Sequence, residues 1–238
     1  MLAPGRPGAR QAHVRWRTQT RGRSRAKAGR TTVTIEVRQS SRDHLVVATG
    51  PRLRVRRKTR DDAIDDYAWR RDPENARLNG MQPFSEGFTR FLQVFEHDLA
   101  FVQPDRAQFA IEANGGAHIG SVMFYNADHG REAAEFGISI GDGRFRGNGL
   151  GREATVLFLR YAWQTYPFRS FYLHTLDWNE RARRCFLAAG FNDVAIVERG
   201  GERFIRMEVR REWWLLWDME GRFTTPAEPR PPSAPKGG

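Results

Sequence analysis

The sequence predicts a mixed α/β fold, in which a central, largely antiparallel sheet carries helices on both faces. Short strand-like segments alternate with longer segments whose apolar residues recur at helical spacing. Two pairs of strand-like segments are separated only by turn residues: 108–112 and 118–125 across Asn114-Gly115-Gly116, and 194–198 and 204–209 across Gly200-Gly201. Strands joined by such tight turns run antiparallel, whereas a parallel pair needs a long crossover. These hairpins make the predicted sheet mainly antiparallel.

The elements ahead of the first hairpin are a strand and two helices. Leu53 and Val55 alternate with arginines, as expected for a half-buried strand. Thr59 offers a helix cap, and the acidic residues after it suit the first turn of a helix over residues 59–69. Phenylalanines on one face predict a second helix over residues 85–99.

A glycine-rich loop between a predicted strand and a predicted helix is the most informative stretch. Residues 135–140 have strand composition, and an apolar stripe begins at Leu150 and continues to about Tyr166. Three glycines lie between, at Gly147, Gly149 and Gly151. Glycine lets backbone amides approach a ligand, and the first amides of a helix lack partners and carry about half a positive charge. The stretch therefore predicts a phosphate site, the alternative being a glycine turn that only starts a helix.

A further strand and a short helix follow. Residues 170–176 are rich in apolar and aromatic residues and predict a strand. Asn179 begins a helix that ends at Gly190, the usual C-terminal signal. The apolar residues of this helix share one face: Ala182, Cys185, Phe186 and Ala189.

Charge divides the chain into three regions. The net charge is +11, yet residues 1–30 alone hold nine basic side chains and no acidic one, whereas residues 61–238 hold 22 basic and 26 acidic ones. We expect a basic, disordered extension over 1–50, a catalytic domain over 51–217 and a Pro/Gly-rich tail over 218–238. Nucleic acid is therefore an unlikely partner for the folded domain, and the extension is either a basic arm or a segment with no role.

Residues 32–37 and 45–48 also have strand composition and could form an additional hairpin.

Cys185 is the only cysteine, which excludes internal disulfides and a cysteine-based zinc site, and no metal site is predicted. A lone thiol fits a reducing, cytoplasmic compartment. No apolar run approaches the length of a membrane helix, and the N-terminus lacks the apolar stretch of a secretory signal.

One alternative is a dinucleotide-dependent oxidoreductase, because residues 149–154 match the pattern G-x-G-x-x-A. That fingerprint should follow its strand almost at once within a parallel βαβ unit. Here residues 141–146 intervene, and no acidic residue ends the next strand at the expected place. The pattern therefore argues weakly for an NAD(P) enzyme.

Two motifs in order resemble the GNAT superfamily of acyl-CoA N-acyltransferases. The phosphate motif is represented by Arg146, Gly149 and Gly151. The later motif starts at Asn179 and ends at Gly190-Phe191, with Phe186 where the family has tyrosine. The resemblance covers residues 51–212 and is strongest to the group that acetylates ribosomal-protein N-termini and spermidine. It implies a sheet splayed at a cleft for acetyl-CoA.

The resemblance also implies how acetyl-CoA is held. The diphosphate is expected on the amides of the glycine loop, and the pantetheine arm beside Ile138, Ser139 and Ile140. Asn179 is expected to approach from the other side of the splayed strands, with Phe186 against the thioester end. An ordinary helix cap is the alternative role for Asn179. The remaining residues assigned to the cofactor are Arg146, Gly147, Asn148, Gly149, Leu150, Gly151 and Arg152.

Acetyl transfer requires a neutral amine, and an alkyl ammonium has a pKa of about 10.4, so a base or a water chain to a carboxylate is needed. Glu135 is the first candidate because it opens the strand that lines the expected acceptor channel. A solvated acid at a strand end is an equally good description of it. The weaker candidates are Asp142, His174 and Asp177, and His118 is expected to be a surface or strand histidine.

The predicted function is acetyl transfer from acetyl-CoA to a primary amine of a protein N-terminus, a polyamine or another small molecule. Phe186 has no proton for the leaving thiol, so an acyl-CoA-binding regulatory protein with little catalysis is the alternative. Acidic residues near the first helix could attract a polyamine or could simply face solvent; they are Asp61, Asp62, Asp65, Asp66 and Glu74. A homodimer is a further open expectation.

Overall fold

The computed structural model describes residues 42–224, which form one eight-stranded sheet with helices on both faces. The strands lie in the order β1-β2-β3-β4-β5-β6-β8-β7, and β5 and β6 are the one parallel pair in this sheet. The strand bounds are β1 Val46–Thr49, β2 Leu53–Arg57, β3 Ala107–Ala113, β4 His118–Asp128, β5 Ala133–Ile140, β6 Ser170–Leu176, β7 Asn192–Arg199 and β8 Glu202–Arg210. The predicted mixed fold with a largely antiparallel sheet is confirmed.

Six α-helices cover the sheet in the described part of the chain. They are α1 Ala63–Arg71, α2 Pro73–Leu78, α3 Phe88–Ala100, α4 Leu150–Thr165, α5 Glu180–Ala188 and α6 Arg211–Met219. We call the face that carries α4 and α5 the back of the sheet, since Phe136 of β5 packs there on Phe158 of α4. We call the opposite face the front, where Ser121 of β4 donates to Asp66 of α1 at 3.1 Å.

The helices differ from the prediction in four places. Helix α3 begins at Phe88 rather than at residue 85, and α6 was not predicted. The helix expected over residues 59–69 begins as a 3-10 turn at Arg60–Asp62 and becomes α-helical at Ala63. The six-residue α2 was not predicted, although Asp72 caps it through the amide of Asn75 and Pro73 fills its first position. It is too short to show an apolar period, so only its cap and its proline identify it in the sequence.

The folded sheet starts before residue 51. Strand β1 pairs with β2, with Val46 opposite Arg56 and Thr49 opposite Arg54. Strand composition at 45–48 was therefore a correct signal, whereas its suggested hairpin partner at 32–37 lies outside the described residues. At the other end, Phe223 stacks on Trp214 with 4.8 Å between ring centroids, so the packed chain continues past residue 217.

Arg56 lies on the front of the sheet under α1 rather than in solvent, against the simple alternation expected for β2. It is fully buried, with Nε 2.6 Å from Glu112 Oε2 and Nη2 2.7 Å from Asp62 Oδ1. Burial by itself raises the pKa of Asp62, but hydrogen bonds from Arg56 and the Thr59 amide outweigh it and lower that pKa to about 2. This network fixes the start of α1 to the sheet.

The Asp62 carboxyl predicts an acid-dependent loss of stability. Since its pKa is lowered from 3.8 to about 2 on folding, its contribution is present above pH 4 and is lost as the pH falls toward 2. The shift corresponds to about 2 kcal/mol. We expect the difference in free energy of unfolding between the native chain and Asp62→Asn, measured with urea, to shrink by about that amount over this interval. A constant difference would contradict the assignment.

Candidate active site

Strands β5 and β6 pair over only three positions and then separate. The pairs are Ala133 with Ser170, Ala134 with Phe171 and Glu135 with Tyr172. On its other edge β5 stays paired with β4 as far as Ile140. Within residues 42–224, no strand pairs with the β6-facing edge of β5 beyond Glu135. The sheet therefore opens into a wedge, which we call the cleft, with Glu135 at its apex.

The glycine loop connects β5 to α4 at the wide end of this cleft. Gly147 and Gly149 have φ of +81° and +77°, a backbone conformation that residues other than glycine rarely adopt. Across the described structure, no hydrogen bond engages the amides of residues 147–152. These amides lie at and just before the N-terminus of the sixteen-residue α4. The loop thus offers unpaired donors at the positive end of a helix dipole, which fits a diphosphate.

Two arginines hold the loop in shape. Arg52 contacts Glu153 with Nε 2.7 Å from Oε2, and its Nη1 donates to the carbonyl of Asn148 at 2.7 Å. Arg146 donates through Nε to the carbonyl of Ile140 at 2.9 Å and through Nη2 to Gly141 and Asn75. The Arg146 amide donates to the carbonyl of Gly143 at 3.2 Å. Arg146, assigned to the cofactor from its motif, is thus bonded mainly to the protein.

Arg152 is engaged in the same way. Its guanidinium donates through Nε to the carbonyl of Ala188 and through Nη2 to that of Arg222, while its backbone amide is unpaired. Cys185 lies behind the loop, with Sγ 3.4 Å from where a Cβ on Gly151 would lie. Burial raises the pKa of this thiol to about 11, so it stays protonated at neutral pH.

Glu135 is buried in a hydrogen-bonded cluster on the front of the sheet. Its Oε1 lies 2.8 Å from Nδ1 of His174, and its Oε2 accepts from Nδ2 of Asn126 at 3.0 Å. Tyr125 and Tyr172 flank it in register on β4 and β6. Burial, followed by the charge of Glu135, raises the pKa of Tyr125 well above its usual value. Glu135 is therefore a partnered carboxylate at the apex, not a solvated acid at a strand end.

The other candidate bases lie apart from Glu135, with the exception of His174. Asp142 is paired with Arg144 at 2.6 Å, and that hydrogen bond lowers its pKa. Asp177 lies 3.6 Å from Arg203. His118, expected to be a surface or strand histidine, begins β4; its ring is buried against Trp69, and burial lowers its pKa.

Asn179 and Phe186 hold the β6 side of the cleft. Asn179 caps α5, with Oδ1 accepting from the amide of Ala182 at 3.2 Å. Its Nδ2 points to the carbonyl of Leu78 at 3.4 Å. Asn179 thus has the ordinary cap role as well as a position beside the cleft. Phe186 packs edge-on against Phe136, the first residue of β5 beyond the parallel pairing, with 6.2 Å between centroids. This places Phe186 near the apex.

Helix α2 bridges the two arms of the cleft on the front. Asn75 donates to the carbonyl of Gly141 at 3.1 Å on the β5 side. On the other side, the turn after α2 places Gly80 against Phe204 and Leu176 at the ends of β8 and β6. The sequence did not indicate Asn75, Asn126, Tyr125 or Arg52 as site residues. The Asp72-Pro73 cap signal could have located Asn75, but the others depend on strand register and long-range pairing.

Comparisons with known proteins agree with this geometry. A family model described as "Acetyltransferase (GNAT) domain" matches residues 52–192, which is more than half of the chain. Among solved structures, the spermidine N-acetyltransferase from Vibrio cholerae in complex with CoA and spermine has a TM-score of 0.62 at 19% identity, covering 68% of this chain and 98% of that chain. An aminoglycoside acetyltransferase in complex with coenzyme A has a TM-score of 0.58 at 18% identity, with 69% and 98% covered. No curated protein sequence matches.

The splayed sheet and the unpaired loop amides fit an acyl-CoA-dependent acyltransferase. The chain belongs to the GNAT acetyltransferase family. It is an N-acetyltransferase with acetyl-CoA as co-substrate, and this decides against the dinucleotide alternative. No helix between residues 42 and 224 is long and apolar enough to cross a membrane.

Proposed function

We propose that this protein acetylates a primary amine that reaches Glu135 from the front of the sheet, with acetyl-CoA lying along the edge of β5. The observation that carries the proposal is the continuous path from the unpaired loop amides, along the edge of β5 that no strand covers at Ile138, Ser139 and Ile140, to the Glu135 carboxylate. An anion site, an extended edge and a base lie in the order that acetyl transfer needs. Acetyl-CoA supplies the activated acetyl group as a thioester.

Glu135 acts as the general base in this proposal. Neutralising an alkyl ammonium at pH 7 costs about 4–5 kcal/mol, and a positioned carboxylate accepts the proton directly or through one water. His174, Asn126 and Tyr125 take up three of the four acceptor positions of the carboxylate, and the fourth is left for the incoming proton. The cluster thus holds the base in place without blocking it.

Phe186 stands where the family has tyrosine, and phenylalanine has no proton to donate to the departing thiol. A thiol has a pKa of about 8.5, so protonating it at pH 7 is worth only about 2 kcal/mol. We expect Phe186→Tyr to keep or raise turnover, by up to about tenfold, because the added hydroxyl reaches the same end of the cleft. Thiol release under saturating acetyl-CoA measures this. A hundredfold loss in a folded variant would contradict the placement of Phe186 at the thioester end.

The acidic residues near α1 bear on which class of amine accepts the acetyl group. Asp62 and Asp66, part of the group expected to attract a polyamine, are buried and paired with Arg56 and Lys58. Glu74 pairs with Arg77 at 2.9 Å, and Asp61 pairs with Arg42 at 2.7 Å. Most of the predicted acidic surface is therefore neutralised by arginine and lysine. This favours a monoamine or a protein N-terminus over spermidine, although spermine is bound by the Vibrio cholerae enzyme.

The test is a thiol-release assay of the full chain with acetyl-CoA across monoamines, polyamines and peptides with free N-termini. Turnover with at least one amine class, lost in a Glu135 variant, is the expected result. Binding of CoA without acetylation of any amine would instead favour the acyl-CoA-binding regulatory protein. The lone Cys185 supports a reducing, cytoplasmic compartment as part of the proposal. The homodimer stays a prediction.

A further inference from the structure

The imidazole of His174 lies between Glu135 and Arg199, and these partners determine which nitrogen carries its proton. Nδ1 lies 2.8 Å from Glu135 Oε1, and Nε2 lies 3.2 Å from Nη2 of Arg199. A guanidinium has only donors, so Nε2 is the acceptor of the Arg199 bond. The hydrogen of the neutral ring is therefore on Nδ1, and His174 donates it to Glu135.

Charged and titratable groups face this ring from every neighbouring strand. Beyond Glu135 on β5, they are Tyr125 on β4, Tyr172 on β6 itself, Arg199 on β7, and Arg206 and Glu208 on β8, which lie 3.5 Å from each other. Arg206 is the register partner of His174, and its guanidinium lies 4.3 Å from the centroid of the Tyr172 ring. The side chains of His174 and Glu135 are only 7% and 8% exposed, while Arg199 lies at the surface. The ring is thus held between the Glu135 carboxylate on one side and the Arg199 guanidinium on the other.

We propose that Arg199 and His174 are positioning residues for the Glu135 base: Arg199 holds His174 in the Nδ1–H form, and His174 holds Glu135 as an anion at the apex. The proposal rests on the role of Glu135 given above. His174 does not carry the amine proton outward, because its Nδ1 already bears a hydrogen and has no lone pair to receive another. The proton that Glu135 takes therefore leaves through the cleft.

Three substitutions of His174 separate positioning from proton transfer. The Nδ2 group of asparagine lies where Nδ1 of histidine lies, so His174→Asn keeps the donor to Glu135 but cannot relay a proton. His174→Gln places its amide nearer Arg199, and His174→Ala has no donor. We expect the Asn variant to keep kcat/KM within about threefold, and the Ala and Gln variants to lose about ten- to hundredfold. If the Asn variant falls as far as the Ala variant, His174 is a proton carrier and the proposal is overturned.

Arg199 is tested through the rate. Without a donor at Nε2, nothing fixes the hydrogen of the neutral ring on Nδ1, and a ring whose hydrogen is on Nε2 no longer donates to Glu135. We expect Arg199→Met to lower kcat about three- to tenfold with an unchanged KM for acetyl-CoA, while Arg199→Lys, which keeps a cationic donor, follows the native chain. A native kcat in Arg199→Met would show that Arg199 has no such role.

The tautomer itself is measured in the resting enzyme by two-bond ¹H–¹⁵N spectra of the histidine rings, with His174→Asn identifying the signal. A protonated Nδ1 and an unprotonated Nε2 are expected at pH 7.5. The opposite tautomer would overturn the inference even if acetyl transfer proceeds. The expected tautomer in a chain that acetylates no amine would leave this assignment standing and refute the proposed function alone.

Discussion

Replacing Glu135 with glutamine is expected to lower kcat about a hundred- to a thousandfold, because the amide cannot accept the proton that the amine must lose. The KM for acetyl-CoA should change little, since Glu135 lies at the apex and the diphosphate site is at the other end of β5. Steady-state thiol release over a range of pH, with saturating acetyl-CoA, measures both quantities. The native profile should rise with pH and reach a plateau, and the variant should lose the part of that rise that reports the base.

Two matched variants control this result. Glu135→Asp keeps the charge but withdraws it by one methylene, so we expect an intermediate rate with a native-like pH profile. Glu132 lies directly before β5; its carboxylate is 45% exposed and pairs with Arg169 at 3.2 Å. Glu132→Gln should therefore leave kcat unchanged. A Glu135→Gln variant whose pH–rate profile matches that of the native chain would show that Glu135 is not the base.

The glycine loop could be predicted because its chemistry is local. Gly147 and Gly149 adopt positive φ, and the helix that follows starts at Leu150, where the apolar stripe begins. Both features depend on residues within one loop and one helix turn. The same holds for the cap at Asn179 and the stop at Gly190, whose φ is +99°. Local backbone preference and helical period are what a single sequence expresses most directly.

The cluster around Glu135 could not be predicted in the same way. Asn126 reaches Glu135 because the pairing of β4 with β5 shifts between Tyr125 and Asp128, and Asn126 adopts a φ of +51° at this irregularity. A bulge redirects one side chain, and no apolar pattern in the sequence indicates where it occurs. His174 and Arg199 come from β6 and β7, which meet Glu135 only through the order of strands in the sheet. Register and strand order are non-local, and no single segment encodes them.

Arg56 shows a different limit of sequence reasoning. Alternating arginines in β2 predict a solvent-facing side, yet Arg56 is fully buried under α1 between Asp62 and Glu112. An alternating pattern says which residues share a face, but it does not say what covers that face. A charge that is fully paired can be buried, and here the pairing partners come from a helix cap and a neighbouring strand.

Replacing Asn148 with aspartate is expected to weaken CoA binding while leaving the fold intact or more stable. Asn148 is exposed in the glycine loop, two residues before α4 begins. A negative charge near a helix N-terminus stabilises the helix by about 0.3–1 kcal/mol, so thermal unfolding should occur at the same or a higher temperature. The same charge lies beside the proposed diphosphate site. Repulsion of about 1.5–3 kcal/mol between the new carboxylate and the diphosphate raises the Kd for CoA about ten- to hundredfold.

Opposite effects on stability and affinity separate this prediction from simple damage to the loop. Asn148→Ser, which adds no charge, should bind CoA with nearly native affinity, and added salt should reduce the penalty of Asn148→Asp because screening weakens exposed charge interactions. Calorimetric titration with CoA, and with pantetheine as a ligand that lacks the diphosphate, measures the effect. Pantetheine should bind both variants and the native chain alike. If Asn148→Asp binds CoA as well as the native chain does, the diphosphate does not lie on the amides of residues 147–152, and the cofactor placement proposed here is wrong.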